Sequence, residues 1–236
     1  MSSATKIVMN WSSGKDAALA YHILSGQQDC EVAQLLTTLS EEHERVFMHG
    51  VRERLLDIQA DRMKLPLVKV KLPVSPDDGL YKDAMAKHLG LLKQEGVTAA
   101  AYGDIFLEDL KVYREQQLSQ IGMAGVFPLW KRDTRELVRL VEDTGIAAII
   151  VCVNEKYLGK EFLGKRIGRE FLDNLPPDVD PCGENGEFHT FVFNAPFFSS
   201  PIPIITGETV HKSYSPGGDE SKGWDTGFYF LDVDVQ

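Results

Sequence analysis

Cysteines and long apolar runs are both scarce in this sequence, and the two shortages exclude several classes of protein. Only three of the 236 residues are cysteines (Cys30, Cys152 and Cys182), and no two of them form a CxxC pair. Three cysteines cannot build a closed disulfide scaffold or a four-cysteine zinc or iron–sulfur site within one chain. The longest purely apolar run, Ile146–Val153, is far shorter than a membrane span. We therefore expect a cytoplasmic protein with no membrane contact.

Positively charged residues are also fewer than negatively charged ones. The chain has 25 Lys and Arg residues against 35 Asp and Glu residues, which gives a formal net charge of −10. A chain this acidic repels phosphate backbones on average, so bulk nucleic-acid binding is not expected. The remaining composition, with 43% hydrophobic and 25% charged residues, is that of an ordinary globular protein.

Strand and helix patterns alternate along the first two thirds of the chain. The short buried stretch Lys6–Trp11 and the alternating apolar and charged residues of Leu67–Leu72 predict strands, and the patterns at 15–26 and 79–95 predict helices. This alternation predicts the α/β class, with a parallel sheet flanked by helices and a ligand site at the carboxyl ends of its strands. Further strands are predicted at Glu31–Leu39, Thr98–Tyr102, Val126–Trp130 and Ile146–Val153, and further helices at 50–63, 106–121 and 133–145.

The pattern changes after Asn154. A stretch rich in Pro, Gly, Asp and Asn at 173–186 precedes three β-like stretches at 188–193, 202–206 and 227–235, with a turn-rich loop at Ser213–Gly223. We interpret this part as a smaller α+β domain, and divide the chain into domains at 1–132 and 133–236. The last stretch, Phe228–Val235, alternates and is a candidate edge or dimer strand, so a homo-oligomer is compatible with the sequence.

The turn between the first strand and the first helix has the chemistry of a phosphate cradle. It consists of Ser12, Ser13, Gly14, Lys15 and Asp16. Small residues let backbone N–H groups approach an anion, and the helix N-terminus adds partial positive charge. The serine hydroxyls can donate, Lys15 opposes phosphate charge, and Asp16 can hold Mg²⁺. The alternative interpretation is a well-capped turn without a ligand. The loop is neither a Walker A motif nor a GxGxxG fingerprint.

These residues and a second block resemble a known family. The segment Ser12–Ala17 resembles the PP-loop of the ATP pyrophosphatases, usually written SGGxDS, and the whole chain resembles the diphthine–ammonia ligase family. The segment Cys182–Val192, followed by Pro196, is similar to that family's C-terminal GE-x-GE-aromatic signature. Gly103–Ile105 and Pro128–Trp130 fall where the family has its middle motifs.

The resemblance implies a fold, an activity and a set of ligands. The implied fold is an adenine nucleotide alpha hydrolase-like domain of the Rossmann-like kind, followed by a small α+β domain. The implied activity is an ATP-dependent ligase reaction that releases AMP and pyrophosphate. A carboxylate-bearing substrate, which for the family is diphthine on a translation elongation factor, is adenylated and then amidated by ammonia. The implied cofactors are ATP and Mg²⁺.

The site residues follow from the loop, the block and the strand ends. Asp104 closes a strand of small residues, where it could bind Mg²⁺ or the ribose, or cap the next helix. Side chains two apart in a strand share a face, so Glu187 and His189 are expected to point together toward the first domain. There they would engage the acceptor or the amine donor; the alternative is an acidic turn before a strand with a polar outer face. We assign catalytic roles to Lys15, Glu184, Glu187 and His189, nucleotide binding to Ser12, Ser13, Gly14, Lys15, Asp16, Gly103 and Asp104, and metal binding to Asp16 and Asp104.

Three positions depart from the family pattern. Ser13 replaces a glycine of the loop, which is a mild change if its backbone angles are unstrained. Ala17 replaces a serine and so removes a hydroxyl donor. His189 stands where the family often has an acidic residue.

Two other functions are compatible with the loop alone. One is a tRNA-modifying PP-loop ATPase, which the net charge and the absence of CxxC disfavour. The other is a non-catalytic adenine-nucleotide sensor of the universal-stress type, which lacks a block like Glu184–Val192.

Overall fold

The structure of the protein is a computed structural model that describes residues 4–46, 49–73, 77–214 and 226–236. A mostly parallel sheet with helices around it is followed by a smaller antiparallel sheet in the C-terminal part. The predicted α/β class, with a smaller C-terminal α+β unit, is confirmed. Most of the turn-rich loop predicted at Ser213–Gly223 lies outside the described residues.

The elements of the first sheet and its helices alternate along the chain. The strands are β1 (Thr5–Asn10), β2 (Cys30–Ser40), β3 (Arg45–Val46), β4 (Leu67–Leu72), β5 (Ala99–Ala101) and β6 (Ala124–Val126). The helices between these strands are α1 (Lys15–Ser25), α2 (Glu53–Met63), α3 (Asp78–Gln94) and α4 (Glu108–Gln120), and α5 (Thr134–Asp143) follows the last strand of this sheet. The C-terminal part contains β7 (Ala147–Asn154), a 3₁₀ turn (Lys160–Phe162), α6 (Arg169–Asp173), β8 (Phe188–Asn194), β9 (Ile204–Tyr214) and β10 (Thr226–Val235).

Strand β1 lies in the middle of the first sheet and is buried on both faces. It pairs in parallel with β2 on one side and with β5 on the other. Ile7 and Met9 point into the larger hydrophobic core, whereas Val8 points into a second core under α3 and α4. Burial on both faces is the expected state of a parallel sheet covered by helices, and it explains why Ile7, Val8 and Met9 are consecutive apolar residues.

The short strand β3 extends the line of β1 beyond its carboxyl end. At the end of β2, Leu39 and Ser40 pair with β4 on one side and with β3 on the other. Along the earlier part of β2, the side taken by β3 is occupied by β1. Strand β3 therefore lies beyond the carboxyl end of β1. This placement brings His49 to the same end of the sheet as the loop after β1.

Ion pairs join the chain after β3 to the C-terminal sheet. Asp232 of β10 accepts hydrogen bonds from Arg45 at 2.9 Å and from Arg52 at 3.1 and 2.5 Å. Gly50 has a positive φ of 69°, and a Cβ there would lie 2.7 Å from the ring of Phe230. Glycine accommodates both the positive φ and the close approach of the Phe230 ring without strain. This contact helps to fix the backbone next to His49.

Two strand predictions were wrong. The strand predicted at Val126–Trp130 ends at Val126, because β5 ends at Ala101 and the chain then turns, with Trp130 N donating to Phe127 O at 3.1 Å. The stretch Phe228–Val235 is not an edge strand. It belongs to β10, which lies between β7 and β9 in the order β8-β7-β10-β9.

Within the described residues, none of the helices combines the length and the apolar character needed to cross a membrane.

Candidate active site

The loop at residues 11–16 carries the chain from the carboxyl end of β1 into α1. Gly14 is the N-cap of this helix and has extended backbone angles (φ −88°, ψ 170°), so Lys15 and Asp16 begin the first turn. A Cβ at Gly103 would lie 2.8 Å from the backbone carbon of Asp16. Because Gly103 has no Cβ, the chain after β5 can approach the first turn of α1 closely. The ends of β1 and β5 therefore meet at the N-terminus of α1, where anions are favoured.

Ser13 is strained, contrary to the expectation of a mild replacement. Its φ is 72°, in the left-handed region that glycine tolerates and serine does not favour. The side chain is fully buried, and its Oγ has no hydrogen-bond partner among the described residues. The serine therefore keeps a backbone conformation that suits glycine.

Lys15 lies beneath the loop with 2% of its side chain exposed. Its Nζ donates to Asp16 Oδ2 at 2.9 Å and to the carbonyl of Cys182 at 2.5 Å, and it lies 5.1 Å from the centre of the Phe188 ring. Burial alone would lower the pKa of this amine, but the charge and hydrogen bond of Asp16 together with the electrostatic effects of Cys182 and Asp180 outweigh burial, so the pKa is raised. The lysine is therefore a fixed cation between the loop and the C-terminal block.

The C-terminal block Cys182–Val192 packs directly against the loop. Lys15 N donates to Thr190 Oγ1 at 3.0 Å, and Val192 N donates to Ser13 O at 2.9 Å. Gln59 connects the two segments, because its Nε2 donates to Val192 O at 2.7 Å and to Ser13 O at 3.3 Å. Two segments that are far apart in the sequence thus build one site.

A cleft of about 260 Å³ opens where the loop and the block meet. Seven residues assigned from the sequence line it: Ser12, Lys15, Asp16, Gly103, Asp104, Glu184 and His189. Asn10, His49, Arg114 and Thr190 are among the residues that complete the lining. Ser13, Gly14 and Glu187, which the structure also describes, are not part of this lining.

One end of the cleft is acidic. Asp104 forms an ion pair with Arg114 at 2.7 Å, so it does not cap the next helix, whose N-cap is Leu107. Glu184 Oε1 accepts a hydrogen bond from Ile105 N at 2.7 Å. Burial raises the pKa of Glu184 to about 7, and the charges of Asp16 and Asp104 add to the effect. A carboxyl group with this pKa can exchange a proton at neutral pH.

The expectation that Glu187 faces the cleft beside His189 was wrong. Glu187 is 1% exposed, and its carboxylate accepts hydrogen bonds from Asp180 N at 3.1 Å, Asn185 N at 2.9 Å and Asn185 Nδ2 at 3.0 Å. Strand alternation does not apply to this residue because β8 begins one residue later, at Phe188. The carboxylate instead fixes the turn that precedes the strand.

The other end of the cleft holds a pair of histidines. The rings of His49 and His189 lie 4.5 Å apart, tilted by 31°. His49 Nδ1 lies 3.3 Å from Thr190 O, and because a carbonyl only accepts, this nitrogen must donate. His189 Nε2 is buried and has no hydrogen-bond partner among the described residues.

Both rings of this histidine pair are uncharged. Burial lowers the pKa of His49 to about 4, and the charge of Lys15 adds to that shift against the hydrogen bond to Thr190. Burial, His49 and Lys15 together hold the pKa of His189 well below its usual value. Sequence reasoning missed His49 because it belongs to no motif and reaches the cleft only through the placement of β3. Arg114 also lines the cleft, where it is paired with Asp104.

Comparison with known proteins assigns both halves of the site to one family. Residues 5–125 match the family described as "Diphthamide synthase N-terminal domain", and residues 133–232 match "Diphthamide synthase C-terminal domain". The loop lies within the first match, and the block lies within the second.

Three curated relatives of the chain share the same name. The chain is 28% identical over 189 residues to the "Diphthine--ammonia ligase" of Danio rerio, with 72% of this chain and 73% of that protein covered. It is 26% identical over 220 residues to the protein of that name from Rattus norvegicus, with 84% and 82% covered. It is 25% identical over 224 residues to the one from Homo sapiens, with 84% and 82% covered.

Proposed function

The chain belongs to the diphthamide synthase family, and on that premise we propose that it is an ATP-dependent ligase that joins ammonia to a carboxylate substrate. The observation that carries the proposal is the convergence of the loop Ser12–Asp16 and the block Cys182–Val192 on one cleft. The relatives are named for diphthine, so diphthine on a translation elongation factor is the first acceptor to test.

The proposed reaction has two steps. ATP supplies an α-phosphorus that the acceptor carboxylate attacks, with release of pyrophosphate, and ammonia then displaces AMP from the activated acyl group. The loop after β1 suits the first step because the N-terminus of α1 and its backbone N–H groups favour the departing anion. Lys15 stabilises the same negative charge from a fixed position beneath the loop.

A magnesium ion fits the acidic side of this arrangement. Asp16 Oδ1 is buried and has no hydrogen-bond partner among the described residues, so it is free to bind a cation. No group of three or more His, Cys, Asp or Glu side chains in the described residues could hold a metal ion by itself. Mg²⁺ is usually held by one or two carboxylates together with substrate phosphates. Asp16 and Asp104 would hold the ion, which would neutralise phosphate charge.

The residues of the block suit the acceptor side of the reaction. Glu184 lines the cleft with a pKa of about 7, so it can take or give a proton near neutral pH. His189 lines the cleft with a free ring nitrogen. Glu187 acts indirectly, by holding the turn that places both side chains.

The test is product analysis with ATP, Mg²⁺, ammonia and the diphthine-bearing elongation factor. A ligase of this kind releases AMP and pyrophosphate and exchanges radiolabelled pyrophosphate into ATP when the acceptor is present without ammonia. A Lys15→Met variant should lose the exchange, whereas the surface variant Lys87→Met should retain it. Binding of ATP without either product would instead support a sensor, and tight, salt-sensitive tRNA binding would support a tRNA-modifying enzyme.

A further inference from the structure

We propose that the His49–His189 pair is the ammonia subsite of the cleft and that it receives the nucleophile as uncharged NH₃. This inference rests on the proposed ligase function and deepens it by assigning His49, which no motif singles out. Its starting point is geometric: two imidazole rings 4.5 Å apart line one end of the cleft.

The hydrogen bonds of the pair leave ring nitrogens for a small ligand. Because His49 Nδ1 donates to Thr190 O, the Nε2 atom of the uncharged ring carries the free lone pair. The Nε2 atom of His189 is buried without a partner among the described residues. An unpartnered buried nitrogen is costly unless something binds it. Ammonia has three N–H donors and one lone pair, and so it can hydrogen-bond to both rings.

The charges around the pair favour the neutral form of the ligand. Burial is the main cause of the lowered pKa of both rings, and the charge of Lys15, at the start of α1, adds to it. The acidic groups of the cleft have partners of their own: Asp16 is bound to Lys15, Asp104 is paired with Arg114, and Glu184 accepts from Ile105 N. A fixed cation beside two uncharged rings repels ammonium but does not repel ammonia.

The position of His49 is fixed from the C-terminal sheet. Asp232 binds both Arg45 and Arg52, which flank the segment that carries His49, and Arg45 also donates to Gly50 O at 2.6 Å. The ring itself is held by its hydrogen bond to Thr190 O at 3.3 Å, as a preorganised subsite requires.

The proton balance of the second step uses the same nitrogens. The lone pair of ammonia forms the C–N bond, while the bond from the acyl carbon to the AMP oxygen breaks and its electrons leave with AMP. The amide nitrogen must then shed one proton. A free imidazole Nε2 of the pair accepts this proton and passes it to solvent, which restores the uncharged ring.

The experiment measures KM for ammonia against pH, after pyrophosphate exchange has established that the wild-type protein adenylates its acceptor. Below the pKa of ammonium, we expect KM expressed as total ammonia to fall about tenfold for each added pH unit, because the free base is the bound species. His189→Phe keeps a ring of similar shape without its nitrogens and should raise KM for free NH₃ about tenfold or more, with a much smaller change in KM for ATP. His43→Phe, at an exposed position outside the cleft, is the matched control.

A second variant tests the role of charge. His189→Glu places a carboxylate in the subsite and should allow ammonium to bind, so KM for total ammonia should become nearly independent of pH. A wild-type KM that does not change with pH, or a His189→Phe variant with the wild-type KM for ammonia, overturns the inference and leaves the ligase function intact. Absence of acceptor-dependent exchange overturns the ligase function, and the inference with it.

Discussion

The hydroxyl of Thr190 accepts a hydrogen bond from the backbone N–H of Lys15 at 3.0 Å, although the two residues are 175 positions apart in the chain. This N–H belongs to the first turn of α1, where helix donors have no partner within the helix and are available to an anion. A residue of the C-terminal block therefore occupies a donor of the proposed phosphate loop. The two segments therefore depend on each other for their structure.

Thr190→Val should lower the free energy of unfolding by about 1–3 kcal/mol, because valine keeps the shape of threonine but leaves a buried N–H without an acceptor. Urea denaturation measures the change. Thr190→Ser, which retains the hydroxyl, is the control and should lose less. Saturating ATP should recover part of the loss in the valine variant, since a phosphate oxygen can replace the missing acceptor. Equal unfolding midpoints for wild type and Thr190→Val would show that the contact contributes nothing.

Ser13→Gly should stabilise the protein by about 1 kcal/mol. Glycine removes the strain of a left-handed backbone and a buried hydroxyl without a partner, and these gains exceed its greater freedom in the unfolded chain. Thermal and urea unfolding measure the gain. Ser13→Ala separates the two causes, because it removes the hydroxyl and keeps the Cβ, so it should gain less than glycine. A glycine variant less stable than wild type would contradict the assignment of strain.

Lys15→Met should weaken the binding of Mg–ATP by about ten- to a hundredfold, which corresponds to the loss of a charged hydrogen bond of about 1.5–3 kcal/mol. Titration calorimetry measures the dissociation constant. Lys131→Met is the control, because the Lys131 side chain is 69% exposed and lies outside the cleft lining. If both variants bind ATP equally well, the loop does not hold the phosphates.

The histidine pair should make the protein less stable as the pH falls from about 6.5 toward 4. Unfolded histidines take up protons near pH 6.5, whereas the pKa of folded His49 is about 4 and that of folded His189 is also well lowered. Between these values the unfolded state binds more protons, so the free energy of unfolding decreases with decreasing pH. Urea denaturation at pH 7 and pH 5 measures the loss, which should be smaller in His189→Phe than in wild type. The exposed-site variant His43→Phe is the comparison, and it should lose as much as wild type.

Patterns within short segments predicted most of the fold. Alternating strands such as β4 and helices such as α1 carry their periodicity in consecutive residues, and their predicted bounds agree with the structure within one or two residues. The errors concern strands whose bounds or place in the sheet depend on the strands beside them. The predicted strand at 202–206 covers only the start of β9, so β10 was taken for an edge although β9 covers it.

The sequence predicted those parts of the site that belong to recognisable motifs. The loop and the block could be assigned from residue types, but their contact through Thr190 depends on how β8 packs on the first sheet. His49 has no local signal, since only the pairing of β3 beyond the end of β1 brings it to the cleft. Glu187 illustrates the opposite error, because a rule for strands was applied to a residue of the preceding turn.

Glu187→Gln distinguishes a residue that builds the site from one that reacts in it. The Glu187 carboxylate accepts three hydrogen bonds from Asp180 and Asn185, and an amide replaces one acceptor oxygen with a donor that faces N–H groups. The variant should therefore lose about 1–3 kcal/mol of unfolding free energy, as expected for buried donors left without acceptors. Glu184→Gln should lose less, because the Glu184 carboxylate receives one such bond, from Ile105.

The two glutamates should also differ in activity. Glu184 lines the cleft with a pKa of about 7, so Glu184→Gln should abolish the part of the pH–rate profile that this carboxyl controls. Glu187→Gln should lower the rate without changing the shape of that profile, because it displaces the turn but removes no group that exchanges a proton. A Glu187→Gln variant as stable as wild type but inactive would return this residue to the catalytic role that its sequence position first indicated.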